Sequence, residues 1–156
     1  MQMPDEWECV GFWWRLLAYL IDAVLITVVT GGLAYLIYGP EYFAVPESGQ
    51  PSVRGPADAI LTFVLPPLFI VGFWVYRGAT PGKMAIGARI VRADDGSHPS
   101  VGRFVGRYAA YWLSFIPLGL GYLWIGFDAR KQGWHDKLAG TLVVRRKKQP
   151  AAVPAP

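Results

Sequence analysis

An arginine and an aspartate interrupt an apolar stretch near the start of the chain. Arg15 and Asp22 lie within residues 12–29, where every other residue is apolar, aromatic or threonine. Both side chains are costly to remove from water, and inside a membrane such residues mark packing networks or ion paths. A carboxylate held away from water favours a bound proton or cation over the bare charge. Asp22 is therefore a candidate proton or cation site.

The spacing of these two residues indicates that each needs a partner elsewhere. Seven residues place Arg15 and Asp22 on one helix face, but about 10.5 Å apart along its axis. We expect Arg15 to pair with Asp136, in GWHDKLAGT, and Asp22 to pair with Arg107 or with a bound cation. A structural network that fixes helix packing explains the same charges, so both interpretations stay open.

Several residues near these charges are predicted to support the charged side chains. Tyr111 follows Arg107 by one helical turn, beside a stripe of small residues that would let another helix approach closely. The stripe consists of Gly102, Gly106, Ala110 and Ser114. His135 is expected to cap or orient the segment carrying Asp136. The chain has one cysteine and two histidines, so no metal centre and no cofactor site is predicted.

The elements that position these residues are predicted to be membrane-spanning helices, because 53% of the 156 residues are hydrophobic. A first span over 12–37 and a second over 59–76 are long enough for the bilayer core. Pro66 and Pro67 lie inside the second span, where we expect a kink and not a break. The intervening residues 38–58 are predicted to form an external loop.

The net charge of +4 follows the positive-inside pattern and not that of a nucleic-acid protein. Basic residues concentrate in 77–103 and 128–156. If both segments are cytoplasmic, residues 104–127 must enter and leave by the same face, turning near PLGLG at 117–121. We therefore predict a re-entrant helical hairpin, with third or fourth transmembrane helices as the alternative.

The remaining segments are predicted to lie on the cytoplasmic side. ARIVRADDG, from residue 88, and TLVVRRK, from 141, are β-branched runs that predict a small two-stranded patch. Residues 1–11 are predicted to be a cytoplasmic N-terminal segment, 12–147 the membrane domain and 148–156 a disordered tail. TPGK at 80–83 lacks the residues of a phosphate loop, so Gly82 is expected to shape a turn.

Three blocks in this order resemble a known family. RLLAYLID, TPGKMAIGARIVRADDG and RKQGWHDKLAGTLVV are similar to the RDD family of small bacterial membrane proteins, named for one arginine and two aspartates. The resemblance places the arginine at Arg15, the first aspartate at Asp22 and the second at Asp136, with Asp128 as the alternative. It implies a role in transport, including cation/proton exchange.

The sequence thus predicts an all-α membrane protein with a small β patch, in the bacterial plasma membrane with both termini cytoplasmic. The leading hypothesis is a transporter or transport-associated component, and the alternative is a non-transporting scaffold or assembly factor. Neither is an enzyme, because no nucleophile or metal set is visible. Two spans cannot readily enclose a path, so homo-oligomers or a larger membrane partner are expected, with the lipid bilayer and a small cation as the other partners.

Overall fold

Two long apolar helices dominate the computed structural model, which describes residues 6–44 and 53–147. The first, α1, covers Phe12–Tyr38, and the second covers Pro56–Arg77; both are long and apolar enough to cross a membrane. Large apolar side chains on them are exposed, which suits contact with lipid. Both predicted helices are confirmed to within three residues at each end.

The second long helix continues through its two prolines. It is built from α2 (Pro56–Ala59), a π-helical turn (Ile60–Val64) and α3 (Leu65–Arg77). Pro66 and Pro67 lack an N–H, so the carbonyls four residues earlier lose their usual donors. The π turn directly before them changes the hydrogen-bond register, and the N–H of Leu65 donates to Ile60. The helix therefore spans the prolines, which confirms the predicted absence of a break; the predicted kink stays a prediction.

The third apolar segment forms two helices with a sharp turn. Helix α5 covers Val101–Phe115 and α6 covers Leu120–Phe127, and the pair is bent by 99°. Leu118 and Gly119 both have positive φ, which ends α5 abruptly. The turn lies where the sequence predicts it. The two arms meet near a right angle, however, and are not antiparallel as a simple hairpin would be.

A three-stranded antiparallel sheet lies beside the helices. Strands β1 (Trp7–Cys9), β2 (Ala88–Arg92) and β3 (Thr141–Arg146) pair in the order β1-β3-β2. Cys9 is opposite Val144 on one side, and Arg89 is opposite Val144 on the other. The predicted pairing of the 88–92 and 141–146 runs is confirmed. The fold is thus mostly helical with a small sheet, and β1 corrects the prediction of only two strands, because a three-residue strand carries too few residues to show an alternating pattern.

One hydrophobic cluster joins the sheet to the helices. Its buried members come from the sheet and its entry segment, α3 and α5: Val10, Trp74, Ala88, Ile90, Phe104 and Val143. The short helix α4 (Pro81–Ala85) packs against α1, and α7 (Trp134–Ala139) packs against α5. These contacts bring the charged residues of distant segments together. The predicted disordered tail at 148–156 lies outside the described residues.

Candidate functional site

Asp136 lies at the centre of a buried ion-pair network. Its carboxylate receives hydrogen bonds from Arg15, at the start of α1, and pairs with Arg107, in α5. The N–H of Gly133 donates to the same carboxylate at 3.0 Å, which caps α7. Burial raises the pKa of Asp136, but the two guanidinium groups more than offset this and hold the pKa well below its usual range.

Arg15 joins three segments of the chain through its guanidinium group. Besides Asp136, it donates from Nε to the Val10 carbonyl at 2.9 Å and from Nη2 to the Lys131 carbonyl at 2.6 Å. These contacts tie the start of α1 to the segment after β1 and to the loop before α7. The structure thus brings together Arg15 and Asp136, which lie 121 residues apart in sequence.

Arg107 is almost completely buried in α5, with 1% of its surface exposed. In addition to Asp136, it donates from Nη1 to the hydroxyl of Thr141, the first residue of β3. Its guanidinium carbon lies 5.5 Å from the centre of the Trp74 ring, within cation–π range. Arg107 therefore links α5 to the sheet and to α3.

Asp22 has a different environment. Its carboxylate accepts hydrogen bonds from the Thr80 hydroxyl and from the Gly82 N–H, the latter at 2.7 Å. Among the described residues, no lysine or arginine nitrogen lies within 4.0 Å of it. The predicted pairing of Asp22 with Arg107 is therefore wrong, because Arg107 pairs with Asp136.

Gly82 permits this arrangement by its lack of a side chain. A Cβ at this position would overlap the carbonyl oxygen of Ala18 and stand 2.9 Å from Cγ of Asp22. Helix α4 can therefore approach α1 closely only with glycine here. The TPGK segment, where the sequence predicts a turn at Gly82, supplies both hydrogen-bond donors to Asp22.

The supporting residues lie in two places. His135 packs edge-on against Tyr111, with the two ring centres 4.4 Å apart, and Oγ of Ser114 lies 3.3 Å from Nδ1 of His135. Burial lowers the pKa of His135 to about 3, so its ring is neutral at physiological pH. Asp128 is apart from this cluster: it pairs with Lys137 and accepts N–H groups of its own loop.

The small-residue stripe is divided between two environments. Ala110 and Ser114 are buried, and a Cβ at Gly121 would stand only 2.6 Å from Cα of Ser114. The stripe therefore allows α6 to approach α5 closely at this end. Gly102 and Gly106 instead line an open groove of about 500 Å³ beside α7.

The sequence does not predict the contacts of three residues near the buried carboxylates. Thr80 and Gly82 bind Asp22, and the only signal for them is a proline-glycine turn after an apolar helix. Asp58, in α2, accepts the Tyr42 hydroxyl at 2.6 Å and the Arg54 N–H at 2.7 Å. As the single acidic residue of the second long helix, it could have been identified by the argument used for Asp22. Among the described residues, no group of three or more histidine, cysteine or acidic side chains could hold a metal ion.

Comparison with protein families gives one match over most of the chain. The RDD family profile matches residues 9–140, which include Arg15, Asp22 and Asp136. No solved structure matches the chain significantly.

Several bacterial proteins are similar in sequence. The uncharacterized protein YxaI of Bacillus subtilis is 31% identical over 147 residues, which cover 86% of this chain and 95% of that protein. The uncharacterized membrane protein YteJ of the same organism is 28% identical over 162 residues, covering 92% and 88%. The uncharacterized protein RP437 of Rickettsia prowazekii is 34% identical over 77 residues, covering 49% and 42%.

Proposed function

Because the chain belongs to the RDD family, a family of membrane proteins, we propose that it is a transport-associated membrane component in which Asp22 binds a proton or a small cation. It performs no catalytic chemistry in this proposal. The ligand is retained by the Asp22 carboxylate, where α1 meets the Thr80–Gly82 turn.

One observation carries this proposal: among the described residues, no lysine or arginine nitrogen lies within 4.0 Å of the Asp22 carboxylate. Asp22 is only 5% exposed, yet both of its hydrogen-bond donors are neutral groups. A buried carboxylate whose charge is not balanced by a cationic side chain gains from a proton or a metal ion. The Thr80 hydroxyl can rotate so that a lone pair of its oxygen faces such a cation, since a hydroxyl both donates and accepts.

The membrane arrangement in this proposal follows the distribution of charge. The sheet, α4 and α7 lie on the cytoplasmic side of the bacterial plasma membrane, together with both termini. In this proposal residues 104–127 re-enter from that side, and the 99° bend between α5 and α6 means that they do not form one straight span. Two long helices cannot enclose a path by themselves, so the working unit is a homo-oligomer or a complex with a larger membrane protein.

Proton flux in proteoliposomes tests the proposal. The wild-type protein is expected to show proton movement driven by a gradient of Na⁺, K⁺ or Ca²⁺, and Asp22→Asn is expected to lose at least nine-tenths of it. Asp94→Asn is the matched control, because Asp94 lies in an exposed pair with Arg92. Flux that is absent from the wild type with all three cations would refute the proposal.

A scaffold function is the second candidate, and the close packing of Gly82 against the Ala18 carbonyl of α1 favours it. Asp22 receives two hydrogen bonds from α4 and its preceding turn, so it also holds α4 against α1. If Asp22→Asn abolished the detergent-purified oligomer as well as flux, the charge would have a packing role. An intact oligomer without flux supports the cation site.

A further inference from the structure

Two buried nitrogen donors near the ion-pair network lack acceptors. The indole N–H of Trp74 and the Nε–H of Arg107 have no hydrogen-bond partner within the described part of the chain. Trp74 is 0% exposed and Arg107 is 1% exposed. Leaving a buried donor unpaired costs about 1–3 kcal/mol, more for a charged group, so native proteins rarely tolerate it without a bound acceptor.

Lys83 adds a third donor beside the same indole ring. Its Nζ lies 5.7 Å from the centre of the Trp74 ring, and the Arg107 guanidinium carbon lies 5.5 Å from it. Within the described residues, Lys83 makes one hydrogen bond, to the Thr80 hydroxyl, and it is long at 3.4 Å. Two cationic side chains therefore lie beside Trp74, whose own indole N–H is the third donor.

The local charge balance favours a negative ligand. Arg15 and Arg107 share the single carboxylate of Asp136, which leaves this group with one excess positive charge. Lys83 adds a further positive charge and Asp22, which it reaches through the Thr80 hydroxyl, adds a negative one, so one excess positive charge remains. An anion would accept the two N–H groups and also balance charge, whereas a water molecule would accept them without balancing charge.

We propose that Trp74, Lys83 and Arg107 form a binding site for a small inorganic anion of the chloride class. The anion accepts the indole N–H and the Nε–H, and the Lys83 ammonium balances its charge. Phe104 and Tyr111 pack on Trp74, with ring centres 5.9 and 5.6 Å away, and they shield the site from water. This site adjoins the proposed cation site through Lys83 and the Thr80 hydroxyl, but it does not depend on transport.

Chloride titration of the purified protein in detergent tests this site. The midpoint of thermal unfolding is followed as chloride replaces gluconate at constant ionic strength. We expect a saturable rise in the midpoint for the wild type. Two variants remove one donor each: Lys83→Met removes the ammonium, and Trp74→Phe removes the indole N–H. Both are expected to raise the half-saturating chloride concentration at least tenfold.

Matched controls use the same substitutions at exposed positions. Lys137→Met and Trp112→Phe should leave the half-saturating concentration unchanged, because Trp112 is 67% exposed and Lys137 pairs with Asp128. If Trp74→Phe does not fold, the test rests on Lys83: Lys83→Met should raise the half-saturating chloride concentration, and Lys83→Arg, which keeps the positive charge, should restore it. The absence of a chloride-specific rise in the wild type would mean that water fills the site and would overturn the proposal. So would a rise that Lys83→Met leaves unchanged.

Discussion

The negative charges of the two buried aspartates, Asp22 and Asp136, are stabilised by different kinds of groups. Asp136 is held by two arginines, so its negative charge is more than balanced by side chains. Asp22 is held by a hydroxyl and a backbone N–H, so its charge has no cationic side chain within 4.0 Å among the described residues. The comparison separates a carboxylate paired with two arginines from one held by neutral donors, and the proposed function assigns the proton or cation to the second.

Removing each charge is the strongest test of this difference. Asp136→Asn leaves two buried guanidinium groups without a counter-charge and should lower the free energy of unfolding by about 3–5 kcal/mol. Asp22→Asn keeps one carbonyl oxygen for the Gly82 N–H, and its amide NH2 can donate to the Thr80 hydroxyl, which accepts as well as donates, so about 1–2 kcal/mol is expected. Denaturant titration in detergent micelles measures both. Equal losses for the two variants would remove the distinction.

Gly82→Ala tests whether Asp22 depends on the close approach of two backbones. The new Cβ would overlap the carbonyl oxygen of Ala18, so α4 must move away from α1. We expect a loss of about 1–3 kcal/mol in the free energy of unfolding. Gly102→Ala is the control, since a Cβ there meets nothing within 4 Å, and alanine favours the helix by up to about 1 kcal/mol. Equal stability of the two variants would contradict this account.

The pH dependence of stability tests the Asp136 side of the comparison. Burial lowers the pKa of His135 to about 3, from an ordinary value of 6.5. Between these values the unfolded chain binds a proton that the folded chain does not, so stability falls as pH falls. From pH 6.5 to 5.5 this residue should cost about 1 kcal/mol. His135→Asn should flatten that part of the profile, and an unchanged slope would show that His135 takes up its proton in the fold at the same pH as in the unfolded chain.

The two long helices and their ends could be predicted because hydropathy and length report directly on a membrane span. The pairing of Arg15 with Asp136 was also accessible, since both lie at one boundary of the predicted spans. The partners of Asp22 were not, because one of them is a backbone N–H, which carries no sequence signal. Arg107 was assigned to Asp22 because sequence gives depth in the membrane and not direction around a helix. Strand β1 escaped detection because three residues cannot display a period.

The order of strands also constrains how the protein is made. The central strand β3 is encoded last, and the same C-terminal stretch carries Asp136 and Thr141. During synthesis, Arg15 enters the membrane boundary 121 residues before its counter-charge exists. Strands β1 and β2 likewise have no neighbour to pair with until residues 141–146 are translated. A chain that ends before these residues would lack the counter-charge of Arg15 and leave β1 and β2 without a partner strand, and unpaired strand edges favour aggregation.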